Sequence, residues 1–288
     1  MFQEVDDTLD QKLSTLMFEG PAETLTLTEN AQPALMAHSL AVLRVLEAEG
    51  GFRLADRAVV VAGHSLGEYS ALAAAGAFGI AQAARLLRLR GQAMQKAVPP
   101  GAGSMAALLG CEMELALAIC AEAAQGPAGN TEVIEPGNDN GGGQVVVSGA
   151  TAAVERAIVI AQAKGVRRAM KLPVSAPFHC AMMAPAAAAM AEALAASPPV
   201  APAVPVVANV TAARATDPAA IVDLLVRQVT ATVRWRECML AMAALGVDSF
   251  VELGAGKVLS GLVKRVTPDA SGISAGGPAE IEAVLKAL

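Results

Sequence analysis

Aromatic residues are scarce in this chain: one Trp, one Tyr and six Phe among 288 residues. With a formal net charge of −6 there is also no basic stripe and no aromatic-interleaved basic patch, so a nucleic-acid partner is excluded. Cysteines are few. Cys111, Cys120, Cys180 and Cys238 lie far apart with no Cys-x-x-Cys pair, and read as reduced thiols in a cytoplasmic protein. No apolar run reaches the ~18 residues of a membrane span. The Ala-rich stretch 184–196 is too short and is broken by Pro185 and Glu192, so no membrane partner is expected. The opening Met1-Phe2-Gln3-Glu4-Val5-Asp6-Asp7 is acidic and lacks the basic region of a secretory signal.

What the chain has in abundance is small apolar residue. It is 54% hydrophobic and 17% charged, and alanine carries much of the apolar share. The length suffices for one large domain or two smaller ones with a substantial core. The pattern predicts helices at 9–18 and from Gln32-Pro33 to Glu49, since proline favours the first helical position. A strand at 58–62, a turn, and helices at 66–76 and 81–97 follow. From 101 to 172 the rhythm changes to strand 104–110, helix 112–124, a weaker strand near 132–134, strand 144–148, helix 151–164 and strand 166–173. Gly137 to Gly143 reads as a loop. This βαββαβ order implies a ferredoxin-like insert. Beyond it come helix 181–196, strand 204–210, helices near 218–230 and 234–245, strand 248–253 and helix 257–266. The expected fold is α/β: a parallel-sheet domain of residues 1–100 and 173–288, interrupted by an α+β subdomain of 101–172. The cleft between them is the expected site.

The most informative segment is Gly63-His64-Ser65-Leu66-Gly67, between the apolar Ala58 to Ala62 and the helical Glu68 to Leu72. A Gly-x-Ser-x-Gly turn from strand to helix is the setting of a nucleophile elbow, with Gly63 and Gly67 allowing the turn to close. The competing reading is a glycine-punctuated turn around a structural serine. A serine hydroxyl needs a base, and there are three histidines to choose from. His38 sits mid-helix among apolar neighbours and reads as a core residue. His64 adjoins the serine but points elsewhere. His179, in the loop Pro173-Val174-Ser175-Ala176-Pro177-Phe178-His179, is the candidate base. No Asp or Glu lies between Lys171 and Pro185, so a backbone carbonyl is a fitting partner for its imidazole. Arg90 falls in the middle of the apolar face of its helix, between Leu86 and Met94. A buried guanidinium needs a partner. Either an internal carboxylate supplies it, or a substrate carboxylate does. Ser65, His179 and Arg90 together suggest transfer of an acid-bearing acyl group.

These residues carry a specific resemblance. Gly63 to Leu72, Arg90-Gly91-x-x-Met94-Gln95, Val174 to Cys180 and Gly254-x-Gly256-Lys257-Val258-Leu259 are similar to the malonyl-CoA:acyl carrier protein transacylases. So are Gln32-Pro33-Ala34-Leu35 and Asn138-x-Asn140 with Gln144-Val145-Val146, in order along the chain to about residue 266. The resemblance implies a hydrolase-like α/β domain with a ferredoxin-like insert, and a ping-pong reaction of fatty-acid synthesis. Ser65 would carry the malonyl ester and His179 would act as base and acid, oriented by the main-chain carbonyl of Gln228. Arg90 would clamp the malonyl carboxylate, Gln32 would line the pocket, and the Leu66 N–H would face the oxyanion. Malonyl-CoA and acyl carrier protein would be the partners, with no metal and no cofactor, and a monomer is expected. Phe178 resembles the residue of malonyl-selective members. Carrier proteins are acidic, so the basic clusters Lys164/Arg167/Arg168/Lys171 and Lys257/Lys264/Arg265 are either solvated faces or a docking patch.

The chain departs from the family at its start. Members open with an apolar strand and a Gly-Gln-Gly-Ser-Gln turn whose first glutamine supplies a second oxyanion donor. Here Met1-Phe2-Gln3-Glu4 already reads as the helix that follows. The departure implies a truncated or misassigned start, or a weak or inactive carrier-binding relative. The enzyme alternative is an α/β-hydrolase esterase, which usually places its histidine late in the chain; here no histidine follows His179.

Overall fold

The computed structural model describes residues 1–127 and 129–287. Its larger body is α/β, built mostly from helices around short strands. Phe2–Leu9, Leu13–Glu19, Thr28–Gly50, Gly67–Ala74, Ile80–Lys96, Ala184–Ala196 and Pro218–Gln228 enclose the main core. Met36, Leu40, Leu72, Leu87, Met94, Met190, Leu194 and Leu225 meet there. Val61–Ala62 pairs in parallel with Val206–Val207, which pairs antiparallel with Arg214–Ala215. Ser249–Leu253 and Ser271–Ala275 form a separate parallel pair, packed through Val251, Leu253 and Ile273 on Val42 and Leu46.

Several boundaries differ from the sequence expectation. The helix expected at 9–18 is two helices broken at Asp10, whose left-handed φ of 46° ends the first. The long helix expected from Gln32 begins at Thr28, four residues earlier, so Pro33 stands inside it. Extension across the proline costs one backbone bond, and burial of Gln32, Pro33, Ala34, Met36 and Ala37 offsets it. The strand expected at 58–62 shrinks to two residues, with Val59 exposed. Val206–Val207 is equally short where seven residues were expected. The strand Ser271–Ala275 and helix Pro278–Ala287 follow the last element that periodicity revealed.

The segment from 103 to 171 is a βαββαβ unit. Its sheet runs Ile134–Asp139, Gln144–Ala150, Gly103–Leu109, Arg168–Lys171, all antiparallel. Alternation sorts its faces, as period-2 side chains must. Ala106, Leu108, Val145 and Val147 pack under helices Met113–Ala123 and Thr151–Ala163. Met105, Ala107 and Val146 face the other way, onto Leu172 and Phe178. The sheet's second face therefore supports the loop that leads to His179. The segment Gly137 to Asp139, expected as loop, belongs to the edge strand, which accommodates it with a bulge between Pro136 and Asn138. That edge joins the larger body: Asp139 N–H donates to Val233 O, and Val233 N–H to Gly137 O, each at 2.9 Å.

Leu108 is fully buried in the subdomain core. Leu108→Ala is expected to lower stability by about 2–5 kcal/mol, read as the shift in a urea unfolding midpoint.

Candidate active site

The turn Gly63 to Gly67 closes where the strand Val61–Ala62 ends and helix Gly67–Ala74 begins. Ser65 has φ 54°, the strained left-handed conformation that an elbow serine needs. Gly63 is obligatory: a Cβ there would stand 1.9 Å from Gly67 O and 2.0 Å from its carbon. Gly67 is different from what the motif suggested. A Cβ at Gly67 meets nothing within 4 Å, so closure of the turn does not require glycine there.

Ser65 Oγ lies 2.8 Å from His179 Nε2, and His179 Nδ1 lies 2.8 Å from the carbonyl of Gln228. A carbonyl only accepts, so Nδ1 carries the proton and Nε2 is left as the acceptor for the Ser65 hydroxyl. His179 is buried, with φ 61°. Burial first, then the charge of Arg90, hold its imidazole down at about 3, against a lesser upward pull from the Gln228 carbonyl. The ring is therefore neutral and able to accept a proton.

Arg90 reaches this pair from helix Ile80–Lys96, which buries it with Leu86, Leu87 and Met94. Its Nη2 donates to Ser65 Oγ at 3.1 Å and to Gln228 Oε1 at 2.9 Å, and its Nη1 donates to Gln32 Oε1 at 2.9 Å. No carboxylate is in direct contact with it among the described residues. Burial lowers its affinity for the proton, opposed by Tyr69 and Glu68. Its Nε–H is buried without a hydrogen-bond partner. The close approach that joins Arg90 to Gln32 depends on Gly91, where a Cβ would come within 2.6 Å of Glu29 Cα and Thr28 O. Gln32 itself lies one turn inside helix Thr28–Gly50 and caps nothing; it is there to meet Arg90 and Met94.

The structure thus brings Ser65, His179, Arg90, Gln32, Leu66 and Gln228 to one place. The Leu66 N–H donates to no group among the described residues, as an oxyanion donor requires. His64 turns away: its Nε2–H donates to Asn140 Oδ1 at 2.9 Å, and its ring tilts against Trp235 at 5.7 Å. His38 is spent on the carbonyl of Gly276. Three residues escaped the sequence reading as site residues. Asn140 stood in a quoted motif, Glu68 directly after the elbow, and Asn209 interrupts an apolar run from Val204 to Val210. Asn209 Oδ1 accepts from the Ser65 N–H at 2.8 Å, and its Nδ2 donates to Gly63 O at 2.8 Å.

Of the basic clusters, Lys164 pairs with Glu122, Lys171 with Glu155 and Lys257 with Glu280. All four cysteines are free and buried. Among the described residues no group of three His, Cys, Asp or Glu could hold a metal ion, and no helix is long and apolar enough to cross a membrane.

Residues 3–276 match the family model of the acyl transferase domain. The chain is 44% identical over 284 residues to the malonyl CoA-acyl carrier protein transacylase of Salmonella typhimurium, covering 99% of this chain and 89% of that one. It superposes on the acyl-carrier-protein-S-malonyltransferase of Bartonella henselae with a TM-score of 0.94 at 52% identity, over 99% and 89% of the two chains. A malonyl-transacylase solved in complex with its type II PKS acyl-carrier protein is similar over 100% of this chain and 90% of that one, at TM-score 0.94 and 41% identity.

Gly63→Ala is expected to abolish folding or to cost more than about 3 kcal/mol, whereas Gly67→Ala should change stability by less than about 1 kcal/mol. Thermal unfolding of the two variants checks the contrast. The low affinity of His179 for a proton sets the pH dependence. The unfolded imidazole titrates near 6.5 and the folded one near 3, so its contribution to stability is complete above 6.5 and is lost as pH falls between those values. The rate of any step in which this ring takes a proton is accordingly expected to show no limb near pH 6.5 from it. Measuring it from pH 5 to 8 in wild type and in Glu68→Gln decides the matter; a limb near 6.5 present in both would mean a solvated imidazole.

Proposed function

The chain belongs to the acyl transferase domain family, and from that premise we propose how it moves a malonyl group from malonyl-CoA to the phosphopantetheine thiol of acyl carrier protein. Ser65 is the nucleophile. As its Oγ adds to the thioester carbonyl, His179 Nε2 takes the hydroxyl proton, and the imidazolium formed is held by the Gln228 carbonyl. The Leu66 N–H faces the oxyanion. Collapse breaks the C–S bond; the CoA sulfur leaves with the proton from His179, and a malonyl ester remains on Ser65. In the second half the carrier thiol gives its proton to His179 and its sulfur attacks the ester. The Ser65 oxygen departs and recovers the proton. The balance closes with Ser65, His179 and the two thiols, and we assign no metal or cofactor.

One observation carries this reading: a buried guanidinium 3.1 Å from the serine oxygen, held by two glutamine oxygens and, among the described residues, by no carboxylate. Two neutral acceptors leave its positive charge uncompensated at contact distance, and a charged acyl carboxylate beside Ser65 compensates it. A simple esterase has no use for that charge.

Loading a carrier with malonyl groups is a step of fatty-acid synthesis, the pathway we assign. The free buried thiols suit the cytoplasm. We take residues 101–172 as an inserted subdomain within the acyltransferase body of 1–100 and 173–288, with the site where the two meet. The fold-supporting Phe178 contact and the His64–Asn140 bond both cross that junction.

Brief incubation with malonyl-CoA followed by intact-protein mass measurement is expected to show one malonyl adduct. Ser65→Ala should show none. Arg90→Ala should acylate about 10–100-fold more slowly, the value of a charge-assisted hydrogen bond lost. An adduct of wild-type yield in Ser65→Ala would remove Ser65 from its role.

A further inference from the structure

Glu68 is a buried carboxyl group that takes no part in the proton and acyl transfers. It stands in the first turn of helix Gly67–Ala74 and is 1% exposed. One of its oxygens, Oε2, accepts from the Asn209 backbone N–H at 3.0 Å and from Gln228 Nε2 at 2.8 Å. Both donors belong to residues that grip the elbow. Asn209 Oδ1 receives the Ser65 N–H, and Gln228 Nε2 also reaches the Ser65 carbonyl at 3.0 Å and Asn209 Oδ1 at 3.2 Å. The two peptide groups flanking the strained Ser65 are thus bracketed by Asn209 and Gln228, and Glu68 ties the bracket together.

We propose that Glu68 is a positioning residue for malonyl transfer: through Gln228 and Asn209 it fixes the backbone of Ser65 and the aim of the Arg90 guanidinium, without touching the acyl group. The inference rests on the roles given above to Ser65 and Arg90. Its core is the Gln228 amide. A guanidinium only donates and a carboxylate only accepts. With Arg90 on one side and Glu68 on the other, the amide has one satisfactory orientation, oxygen to Arg90 and nitrogen to Glu68. A flip would set donor against donor at Arg90 and acceptor against acceptor at Glu68. The same arrangement places a negative charge one amide away from the buried positive one.

A purely structural role fits less well. A carboxylate near a helix N-terminus is favourable, yet burial pushes Glu68 up to about 7, outweighing the donors and Arg90. A carboxyl with a raised folded value contributes stability below its unfolded value near 4.5 and loses it as pH rises through about 7. Above about pH 7 the ionised Glu68 is held at a cost in stability.

The test compares full-length Glu68→Ala, Glu68→Gln and Arg90→Ala in transfer from malonyl-CoA and from acetyl-CoA, which has no free carboxylate, with melting curves for each. Glu68→Ala is expected to lose about 100-fold in kcat/KM for malonyl-CoA, in line with a misplaced reacting group. It should also lose at least about tenfold of the malonyl-over-acetyl preference, which a loss of stability alone would not move. Glu68→Gln keeps an acceptor oxygen and should lose only about three- to tenfold, with an undiminished melting temperature at pH 8. Folded Glu68→Ala with rate and preference within threefold of wild type would overturn the proposal, as would Glu68→Gln as slow as Glu68→Ala. Should Glu68→Ala not fold, the Glu68→Gln effect is measured again in a Gln228→Ala background. Its disappearance there supports action through the Gln228 amide, and an unchanged effect overturns it. Arg90→Ala separates the two levels. If it retains the malonyl preference, the role given to Arg90 has failed; if it loses the preference while folded Glu68→Ala keeps it, the inference about Glu68 alone has failed.

Discussion

A buried guanidinium with no carboxylate in contact among the described residues is the constraint around which this molecule is arranged. Arg90 is 1% exposed, and each of its oxygen partners comes from a different part of the chain: Gln32 in the long helix, Ser65 in the elbow, Gln228 at the end of a third element. A buried charge left unsatisfied costs several kcal/mol, so these elements must converge. Gly91 lets the Arg90 helix meet the backbone at Thr28 and Glu29, and the glutamines supply oxygens whose own orientation is then fixed. The same charge acts on His179, helping to keep its imidazole neutral. One side chain thereby adds to the burial that keeps the proposed base neutral and offers the charge that an acidic acyl group needs.

The second theme is strain held in place by polar brackets. Ser65 and His179 both have positive φ, a conformation costing about 1–3 kcal/mol for a non-glycine residue. Ser65 is held by Asn209 and Gln228, and His179 is tied through its ring to the Gln228 carbonyl. Gln228 joins most of the site: its main chain orients the imidazole while its side chain links Arg90, Ser65 and Glu68. The inserted sheet contributes from outside. Its second face carries Phe178, one residue before His179, and the turn after its edge strand presents Asn140 to His64.

How much of this was legible beforehand varies with the range of the interaction. The βαββαβ order and the burial of Arg90 were readable because each follows from the periodicity of a single element. Element ends were less so. Thr28–Gly50 runs through Pro33 because burial on both sides of the proline outweighs one missing backbone bond. The Gly137 to Asp139 segment, loop-like in composition, is a strand because Val233 and the neighbouring strand take its hydrogen bonds. Gly63 and Gly67 flank the same motif and look alike in the sequence, but only Gly63 faces backbone at contact distance.

The sequence by itself determined the elbow, since Gly63, Ser65 and the helix that follows are neighbours along the chain and their steric rules are local. It determined the apolar helix face with one arginine in it, and, through resemblance rather than spacing, the pairing of His179 with the Gln228 carbonyl. Tertiary structure alone decided what Arg90 touches, which way the Gln228 amide points, and that Glu68 and Asn209 belong to the site. The physical reason is distance along the chain. The Gln228 side chain meets the Ser65 carbonyl across 163 residues, and hydrogen bonds of that kind depend on how closely helices approach, a property set by packing throughout the core.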